Sequence, residues 1–256
     1  MSNTLEKWRK EEVALQAERR LMNEALAMLG RPGTRMTEAR GPARLIFGLD
    51  LTGSREPGLK QARIATAAMF DAIKAIGKVF VKLVYYRGFD QCHESGWHDD
   101  PAILSKSMLS LSCEVGGTQI GRLLNRAMVE PEKLAGVVFI GDHCEENPDE
   151  LASLAAQLGK KSIPIFVFHE CADKDEHSLS AKPTFKRLAE ASGGVYVEFK
   201  SDSGAVLKEL MANVAAFSTG GMKSVERLAL PSTAEARQLR GSLRLMLGPG
   251  GDIERR

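Results

Sequence analysis

Short apolar segments of strand length alternate with segments of helical periodicity through the middle of this 256-residue chain. The strand-like runs fall at 45–49, 79–86, 137–140, 163–168 and 195–199. The helical segments between and around them fall at 59–76, 101–110, 120–129, 148–158, 185–191 and 205–217. A helix between two strands lets them run parallel, because the crossover returns the chain to the same end of the sheet. The alternation therefore predicts a mostly parallel sheet.

The predicted strands are apolar along most of their length and do not alternate between apolar and polar residues. That pattern is typical of strands that are covered by helices on both faces. The predicted fold class is accordingly α/β: an open, mostly parallel, Rossmann-like sheet flanked by helices in three α/β/α layers. The polar stretch 88–100 interrupts the alternation and is predicted to be an irregular hairpin or loop.

Changes in composition divide the chain into three zones. Residues 1–42 are predicted to be an N-terminal helical extension and linker, with one long polar helix at 3–29. Residues 43–220 form the predicted α/β domain. Residues 221–256 are predicted to be a C-terminal basic tail, in which a short amphipathic helix precedes a frayed end.

Composition argues against several classes of protein. Lys plus Arg number 35 against 33 Asp plus Glu, a net charge of +2 that does not favour a nucleic-acid surface. The charged N-terminus lacks the apolar stretch of a secretory signal, and no apolar run approaches the ~18 residues that span a bilayer. Four cysteines without a CxxC pair are predicted to be reduced thiols. The predicted location is therefore the cytoplasm, away from membranes.

Oxygen-bearing side chains follow the predicted strands at one edge of the sheet. Asp50, Thr52 and Ser54 come directly after the first strand, and Asp142 follows the strand at 137–140. Thr118 comes after a Gly-Gly pair, where it is also a plausible cap of the next helix. Because ligands bind beyond the carboxyl ends of parallel strands, we expect these five side chains to lie close together.

Two carboxylates and three hydroxyls at one point predict a bound divalent cation. Unpaired carboxylates repel each other, so that one of them would otherwise take up a proton. Mg²⁺ fits best, since it prefers oxygen ligands and keeps several waters, and Mn²⁺ is a close second. Zinc is disfavoured because no histidine or cysteine is placed consistently at this edge.

The three-part pattern resembles the metal-ion-dependent adhesion site (MIDAS) of von Willebrand factor A (VWA) domains. The matching parts are Asp50-x-Thr52-x-Ser54, Thr118 within GGTQIGRLLNRAM, and Asp142 after a hydrophobic strand. FKRLAEASGGVYVEF, residues 185–199, also resembles the late helix, Gly-Gly turn and strand of that family. The resemblance covers about residues 43 to 217 and implies a member of intracellular, bacterial type.

The resemblance implies a role for each site residue. Thr52 and Ser54 would coordinate the metal through their hydroxyls, and Asp50, Asp142 and Thr118 directly or through water. A partner protein would supply the remaining ligand as an Asp or Glu carboxylate. The implied function is therefore a metal-dependent protein-binding module without enzymatic activity, within an intracellular multiprotein complex such as one with an AAA-type ATPase. Thr52 stands where Ser is commoner, and His143 stands where the family often has Gly.

Other interpretations of the same residues stay open. Asp50 and Ser54 could simply cap a helix that begins near residue 56. A metal-dependent hydrolase could use His143 or Glu145 as its base, although GGT lacks the lysine of a phosphate-binding loop. The chain could also be a scaffold that acts through its terminal extensions and keeps a vestigial metal site. His143 and His169 both follow strands at the same edge and are predicted to line its rim.

Overall fold

The computed structural model of the protein describes residues 42–55, 77–171, 175–200 and 203–246. The predicted helices at 3–29 and 59–76 and the predicted frayed end lie outside the described residues. None of the helices that the structure describes is long and apolar enough to cross a membrane.

Six strands form a single sheet in the described part of the chain. They are β1 (Ala43–Asp50), β2 (Val79–Arg87), β3 (Gln91–His98), β4 (Gly136–Gly141), β5 (Ile165–Glu170) and β6 (Val195–Phe199). Their order across the sheet is β3-β2-β1-β4-β5-β6. Every neighbouring pair is parallel except β2 and β3, which form an antiparallel hairpin. The prediction of a mostly parallel α/β sheet is confirmed.

Helices cover both faces of the sheet. They are α1 (Pro101–Leu109), α2 (Ile120–Val129), α3 (Pro148–Lys160), α4 (Glu176–Ser192), α5 (Gly204–Glu226) and α6 (Ala234–Met246). Buried side chains of α1, α5 and α6 pack on one face of the sheet, and those of α2, α3 and α4 pack on the other. Strands such as β4, in which every residue is buried, are apolar throughout because each face meets a helix layer. The three-layer prediction is therefore also confirmed.

The sequence left two alternatives for residues 88–100, an irregular hairpin or a loop, and the structure shows the hairpin. Gln91–His98 pairs with β2, and the register of the pairing shifts between Lys82 and Val84. β3 lies at the edge of the sheet, where only one side needs a partner, so polar side chains and a glycine are tolerated. Its sequence therefore lacks the apolar run that revealed the central strands.

Two helices are much longer than their periodicity indicated. α4 begins at Glu176, nine residues before the predicted start, and includes Pro183. A proline usually interrupts a helix because it lacks a backbone N–H, which accounts for the late prediction. α5 continues to Glu226 through a break in helical geometry at Gly220 and Gly221, where φ of Gly221 is 64°.

The helix predicted in the C-terminal zone is present as α6, and it packs on the domain. Leu239 and Leu243 are buried in the same apolar core as α5. Arg240 donates a hydrogen bond of 2.6 Å to Oδ1 of Asn213 on α5. This part of the basic zone therefore belongs to the folded body, while the predicted zone limits themselves stay predictions.

Candidate metal centre

Asp50 and Asp142 lie side by side at the carboxyl edge of the sheet. β1 and β4 are adjacent and pair Leu49 with Ile140, so Asp50 ends one strand where Asp142 follows the other. A methyl group placed on Gly141 would lie 3.6 Å from Cβ of Asp50, which shows how closely the two segments approach. Both aspartates are buried, with exposed fractions of 1% and 7%. The pairing thus holds two carboxyl groups at one poorly solvated position.

Hydrogen bonds inside the first loop gather its three predicted ligands. Oδ1 of Asp50 accepts the backbone N–H of Thr52 at 2.8 Å and the hydroxyl of Thr52 at 2.7 Å. Oγ of Ser54 lies 3.4 Å from Oγ1 of Thr52, at the start of a short 3-10 turn. Thr52 is buried and Ser54 is exposed, so the group runs from the sheet edge to solvent.

The second carboxylate oxygen of Asp50, Oδ2, has a separate hydrogen-bond donor. Tyr86, the residue paired with Asp50 across β1 and β2, donates its hydroxyl to Oδ2 of Asp50 at 2.9 Å. Burial raises the pKa of Tyr86 well above its usual value, and the charges of Asp50, Glu146 and Asp142 raise it further. The phenol therefore remains protonated and donates to a carboxylate in a strongly negative environment.

Thr118 is bonded to the loop that follows Asp142. Its backbone N–H donates to the carboxylate of Glu145 at 3.2 Å, and the N–H of Glu145 donates to Oγ1 of Thr118 at 3.0 Å. The same segment also reaches the first loop, because the N–H of Glu114 donates to the carbonyl of Leu51 at 3.0 Å. The loop that carries Thr118 thus contacts both of the others.

The capping role suggested for Thr118 was wrong. Gln119 occupies the N-cap position of α2 and makes no side-chain capping bond. The carboxylate of Glu146 instead accepts the N–H groups of Ile120 and Gly121. Since Thr118 is not needed to cap the helix, one of its ordinary structural explanations is removed.

A steric constraint explains why the first residue of the Gly-Gly pair before Thr118 is a glycine. A methyl group on Gly116 would lie 1.9 Å from the carbonyl oxygen of Gly88, which no rearrangement of side chains could relieve. The side-chain amide of Gln119 donates to the carbonyls of Arg87 and Gly88, both at 3.2 Å. These contacts fix the loop of Thr118 against the turn between β2 and β3.

Asp142 has one oxygen that lacks a hydrogen-bond partner. Among the described residues no donor reaches its Oδ1, although that atom is buried. Its Oδ2 lies 3.8 Å from Nε2 of His143. A buried carboxylate oxygen without a partner costs free energy, and a cation in contact with it would remove that cost. The donor set of carboxylates and hydroxyls fits a hard cation such as Mg²⁺.

No group of three or more His, Cys, Asp or Glu side chains is placed to hold a metal ion in the ranges that the structure describes. A cation at Asp50 and Asp142 would consequently depend on hydroxyl ligands. Thr52, Ser54 and Thr118 would then be as important to metal binding as the two carboxylates.

The two histidines predicted to line the rim have different positions. His143 is at the rim, half-buried, with Nε2 2.8 Å from Oδ2 of Asp175. The hydrogen bond from His143 is the main cause that lowers the pKa of Asp175. His169 is fully buried, so the rim prediction is wrong for it.

His169 instead supports the loop from below. Its Nε2 lies 3.1 Å from the carbonyl oxygen of Asp142, and its Nδ1 lies 2.7 Å from the hydroxyl of Tyr196. Burial lowers the pKa of His169 and favours the neutral ring. Sequence reasoning missed this role, as it missed the roles of Tyr86 and Glu146, since each depends on which strand or loop is the neighbour in space.

No model of a known protein family matches the sequence, and no curated protein does either. Solved structures do resemble it. A von Willebrand factor type A protein from Catenulispora acidiphila is 18% identical to this chain, with a TM-score of 0.56. The match covers 69% of this chain and 42% of that protein. The conserved hypothetical protein BatB from Bacteroides thetaiotaomicron is 15% identical with a TM-score of 0.52, covering 68% of this chain and 98% of its own.

A third similar structure is the pilus adhesin SpaC from Lactobacillus rhamnosus GG in its open conformation. It is 10% identical with a TM-score of 0.56, and the match covers 70% of this chain and 30% of that one. Identities this low support a shared fold and nothing more specific. The described part of the chain therefore has the fold of a von Willebrand factor type A domain.

Proposed function

We propose that this chain is a metal-dependent protein-binding module that holds Mg²⁺ at Asp50, Thr52, Ser54, Thr118 and Asp142 and captures an Asp or Glu carboxylate of a partner protein. The observation that carries the proposal is the buried Oδ1 of Asp142, which has no hydrogen-bond partner among the described residues beside a second buried carboxylate. A hard cation accounts for both features together. Mn²⁺ would bind to the same donors.

The hydrogen bonds leave the right atoms available for such an ion. The hydroxyl of Thr52 donates a hydrogen bond to Asp50, so the lone pairs on Oγ1 of Thr52 can coordinate a metal ion. Oγ1 of Thr118 accepts one hydrogen bond from Glu145 and keeps a second lone pair. Ser54 is exposed, which leaves the solvent side open to a partner. A dication with few charged ligands stays electrophilic and attracts a carboxylate.

The hydrolase alternative is less well supported by the contacts of its candidate bases. Nε2 of His143 is hydrogen-bonded to Asp175, and the carboxylate of Glu145 accepts the N–H of Thr118. Both groups have structural partners that a general base would have to give up. We accordingly propose a binding function without catalysis, in the cytoplasm and within a multiprotein complex, for which an AAA-type ATPase is one candidate partner.

The scaffold alternative assigns the function to the terminal extensions. α6, in the C-terminal zone, is packed into the core and joined to α5 by the hydrogen bond between Arg240 and Asn213. A helix that stabilises the domain in this way is a weaker candidate for an independent docking element.

The test combines metal binding with partner capture. Titration calorimetry with MgCl₂ and MnCl₂ would compare the wild type with Asp142→Ala, and Glu150→Ala on α3 would serve as a control for an exposed carboxylate. Capture from native lysate would follow, with and without EDTA. We expect Asp142→Ala and EDTA to abolish both the heat of metal binding and the recovery of partners, while Glu150→Ala leaves both intact. Recovery of the same partners under all conditions would overturn the proposal.

A further inference from the structure

Two large apolar side chains stand in solvent beside the candidate metal site. Phe89, in the turn between β2 and β3, is 76% exposed, and Val115, in the loop before Thr118, is 83% exposed. Both lie at the carboxyl edge of the sheet, because Phe89 follows the end of β2 and Val115 precedes the Gly-Gly pair. We call these two residues the rim shelf.

The rim shelf adjoins the loop of predicted metal ligands. A methyl group placed on Gly53, between Thr52 and Ser54, would lie 3.5 Å from Cγ2 of Val115. Thr52 also forms an isolated parallel bridge with Glu114, the residue before Val115. Val115 is thus in contact range of the first loop.

Phe89 is held next to Val115 by the backbone contact described above. Gly88 and Gly116, the sequence neighbours of Phe89 and Val115, approach so closely that a methyl group on Gly116 would overlap the carbonyl of Gly88. The two exposed residues therefore lie next to the place where their loops meet.

Polar contacts beneath the rim shelf fix both loops. Nε of Arg87 lies 3.2 Å from Oε1 of Glu114 and donates to Oε1 of Gln91 at 2.9 Å. Nε2 of Gln91 in turn donates to Oε2 of Glu114 at 3.0 Å. This ring of three side chains joins the β2–β3 turn to the loop of Val115. The apolar groups are therefore presented on a constrained support, which lowers the entropy lost on binding.

We propose that the rim shelf receives an apolar side chain of the same partner segment that supplies the carboxylate. The partner would be a protein segment in which an Asp or Glu has Leu, Phe or a similar residue within two positions. This inference rests on the proposed function, since the carboxylate defines where the segment lies. Val115 adjoins Gly53, which lies between two of the predicted ligands. An extended chain advances about 3.3–3.6 Å per residue, so we place the apolar residue one or two positions from the carboxylate.

The chain provides a matched control for Val115. Val129, at the C-terminal end of α2, is 74% exposed, close to the exposure of Val115. α2 begins next to Thr118 and runs away from the carboxyl edge, so Val129 lies at its far end. Val129→Ser therefore removes an equally exposed valine from a position outside the rim shelf.

The experiment uses dense arrays of nonapeptides on a Gly-Ser background, each with one central Asp, Glu or Ser. Positions within two residues of the centre carry Leu, Phe or Ser. The full chain is applied in MgCl₂ or in EDTA. We expect Mg²⁺-dependent binding of acidic peptides, increased roughly three- to tenfold by a neighbouring Leu or Phe. Phe89→Ser and Val115→Ser should lose that increase but keep the binding of acidic peptides, and Val129→Ser should keep both.

The outcomes separate this inference from the proposed function. Mg²⁺-dependent binding that is equal for Leu, Phe and Ser neighbours would overturn the rim-shelf proposal and leave the metal-dependent module standing. The absence of Mg²⁺-dependent binding by any acidic peptide would overturn both. A concentration-dependent dimer of the wild type that Val115→Ser abolishes would assign the rim shelf to a second copy of the chain, and would overturn the proposal as well.

Discussion

The hydroxyl of Tyr86 donates a 2.9 Å hydrogen bond to Oδ2 of Asp50, from the residue that pairs with Asp50 across two parallel strands. Oδ1 of the same carboxylate accepts two hydrogen bonds from Thr52. Asp50 is therefore oriented from both sides before any ligand arrives. Loss of a group that orients a metal ligand typically weakens metal affinity by about 10- to 100-fold.

Tyr86→Phe should weaken Mg²⁺ and Mn²⁺ binding about tenfold, because Asp50 loses the hydrogen-bond donor that orients its Oδ2. The ring is kept, so the core around it should remain packed. Calorimetric titration of the metal checks the prediction. Tyr85→Phe, one residue earlier and on the opposite face of β2, is the matched control and should leave the affinity unchanged. Equal affinities for wild type and Tyr86→Phe would count against the orienting role.

Asp142→Asn should abolish the increase in thermal stability that Mg²⁺ gives the wild type. The wild type should gain about 2.7 kcal/mol of unfolding free energy at a Mg²⁺ concentration one hundred times its Kd, since the ion binds only the folded state. The variant loses the negative charge at the buried Oδ1 and should show no such gain. Melting temperatures measured with and without MgCl₂ compare the two. A shift of the same size in Asp142→Asn would place the metal elsewhere.

Gly116 and Gly241 should respond in opposite directions to alanine. Gly116→Ala puts a methyl group 1.9 Å from the backbone oxygen of Gly88, so we expect a loss of about 1–3 kcal/mol of unfolding free energy. Gly241 lies within α6, where no described residue comes within 4 Å of an added methyl group, so Gly241→Ala should stabilise the protein by about 0.5–1 kcal/mol. Urea denaturation measures both. If Gly116→Ala left the free energy of unfolding unchanged, the loops of Gly88 and Gly116 would have to separate at little cost.

Acid should weaken the attachment of the segment before α6 through Glu209 on α5. Burial raises the pKa of Glu209, but hydrogen bonds from Ser232 and Thr233 outweigh it and lower the pKa to about 2. A carboxyl group with a lowered folded-state pKa stabilises the fold above its unfolded pKa, near 4.3. That contribution should be lost as pH falls from about 4.3 towards 2.

Glu209→Gln is the variant that tests this acid dependence, since it cannot ionise. Unfolding free energies from urea titrations at pH 6, 4 and 3 should fall more steeply for the wild type than for Glu209→Gln. Glu150→Gln, which neutralises an exposed carboxylate on α3 outside this contact, should follow the wild type. Parallel pH profiles for wild type and Glu209→Gln would refute the assignment.

Much of the fold could be predicted because its signals are local. The central strands are apolar on both faces, and the predicted limits of α2 and β6 agree with those observed. β3 was predicted only as part of an irregular hairpin or loop, because an edge strand needs no continuous apolar run. The early part of α4 escaped prediction because it is polar and contains Pro183, while its packing face appears only in the folded chain.

The candidate site was predictable in part for the same reason. Residues that directly follow strands must lie at the carboxyl edge of a parallel sheet, which is enough to bring Asp50 and Asp142 towards each other. Their role as metal ligands stays a prediction. Tyr86 carries no sequence signal, and the position of His169 after a strand indicated the edge but not its contact with Asp142. Each acts through a neighbour in the sheet and not through a neighbour in the chain.

Local periodicity and the order of its segments determined the α/β class, the parallel strands and the edge at which oxygen-bearing side chains collect. These properties depend on residues a few positions apart, so one sequence is sufficient to reveal them. Only the tertiary structure decided that β1 lies between β2 and β4, that Tyr86 reaches Asp50, and that Oδ1 of Asp142 is buried without a partner among the described residues. The physical reason is that strand order and burial arise from contacts between residues far apart in the chain, whereas periodicity reports only on residues a few positions apart.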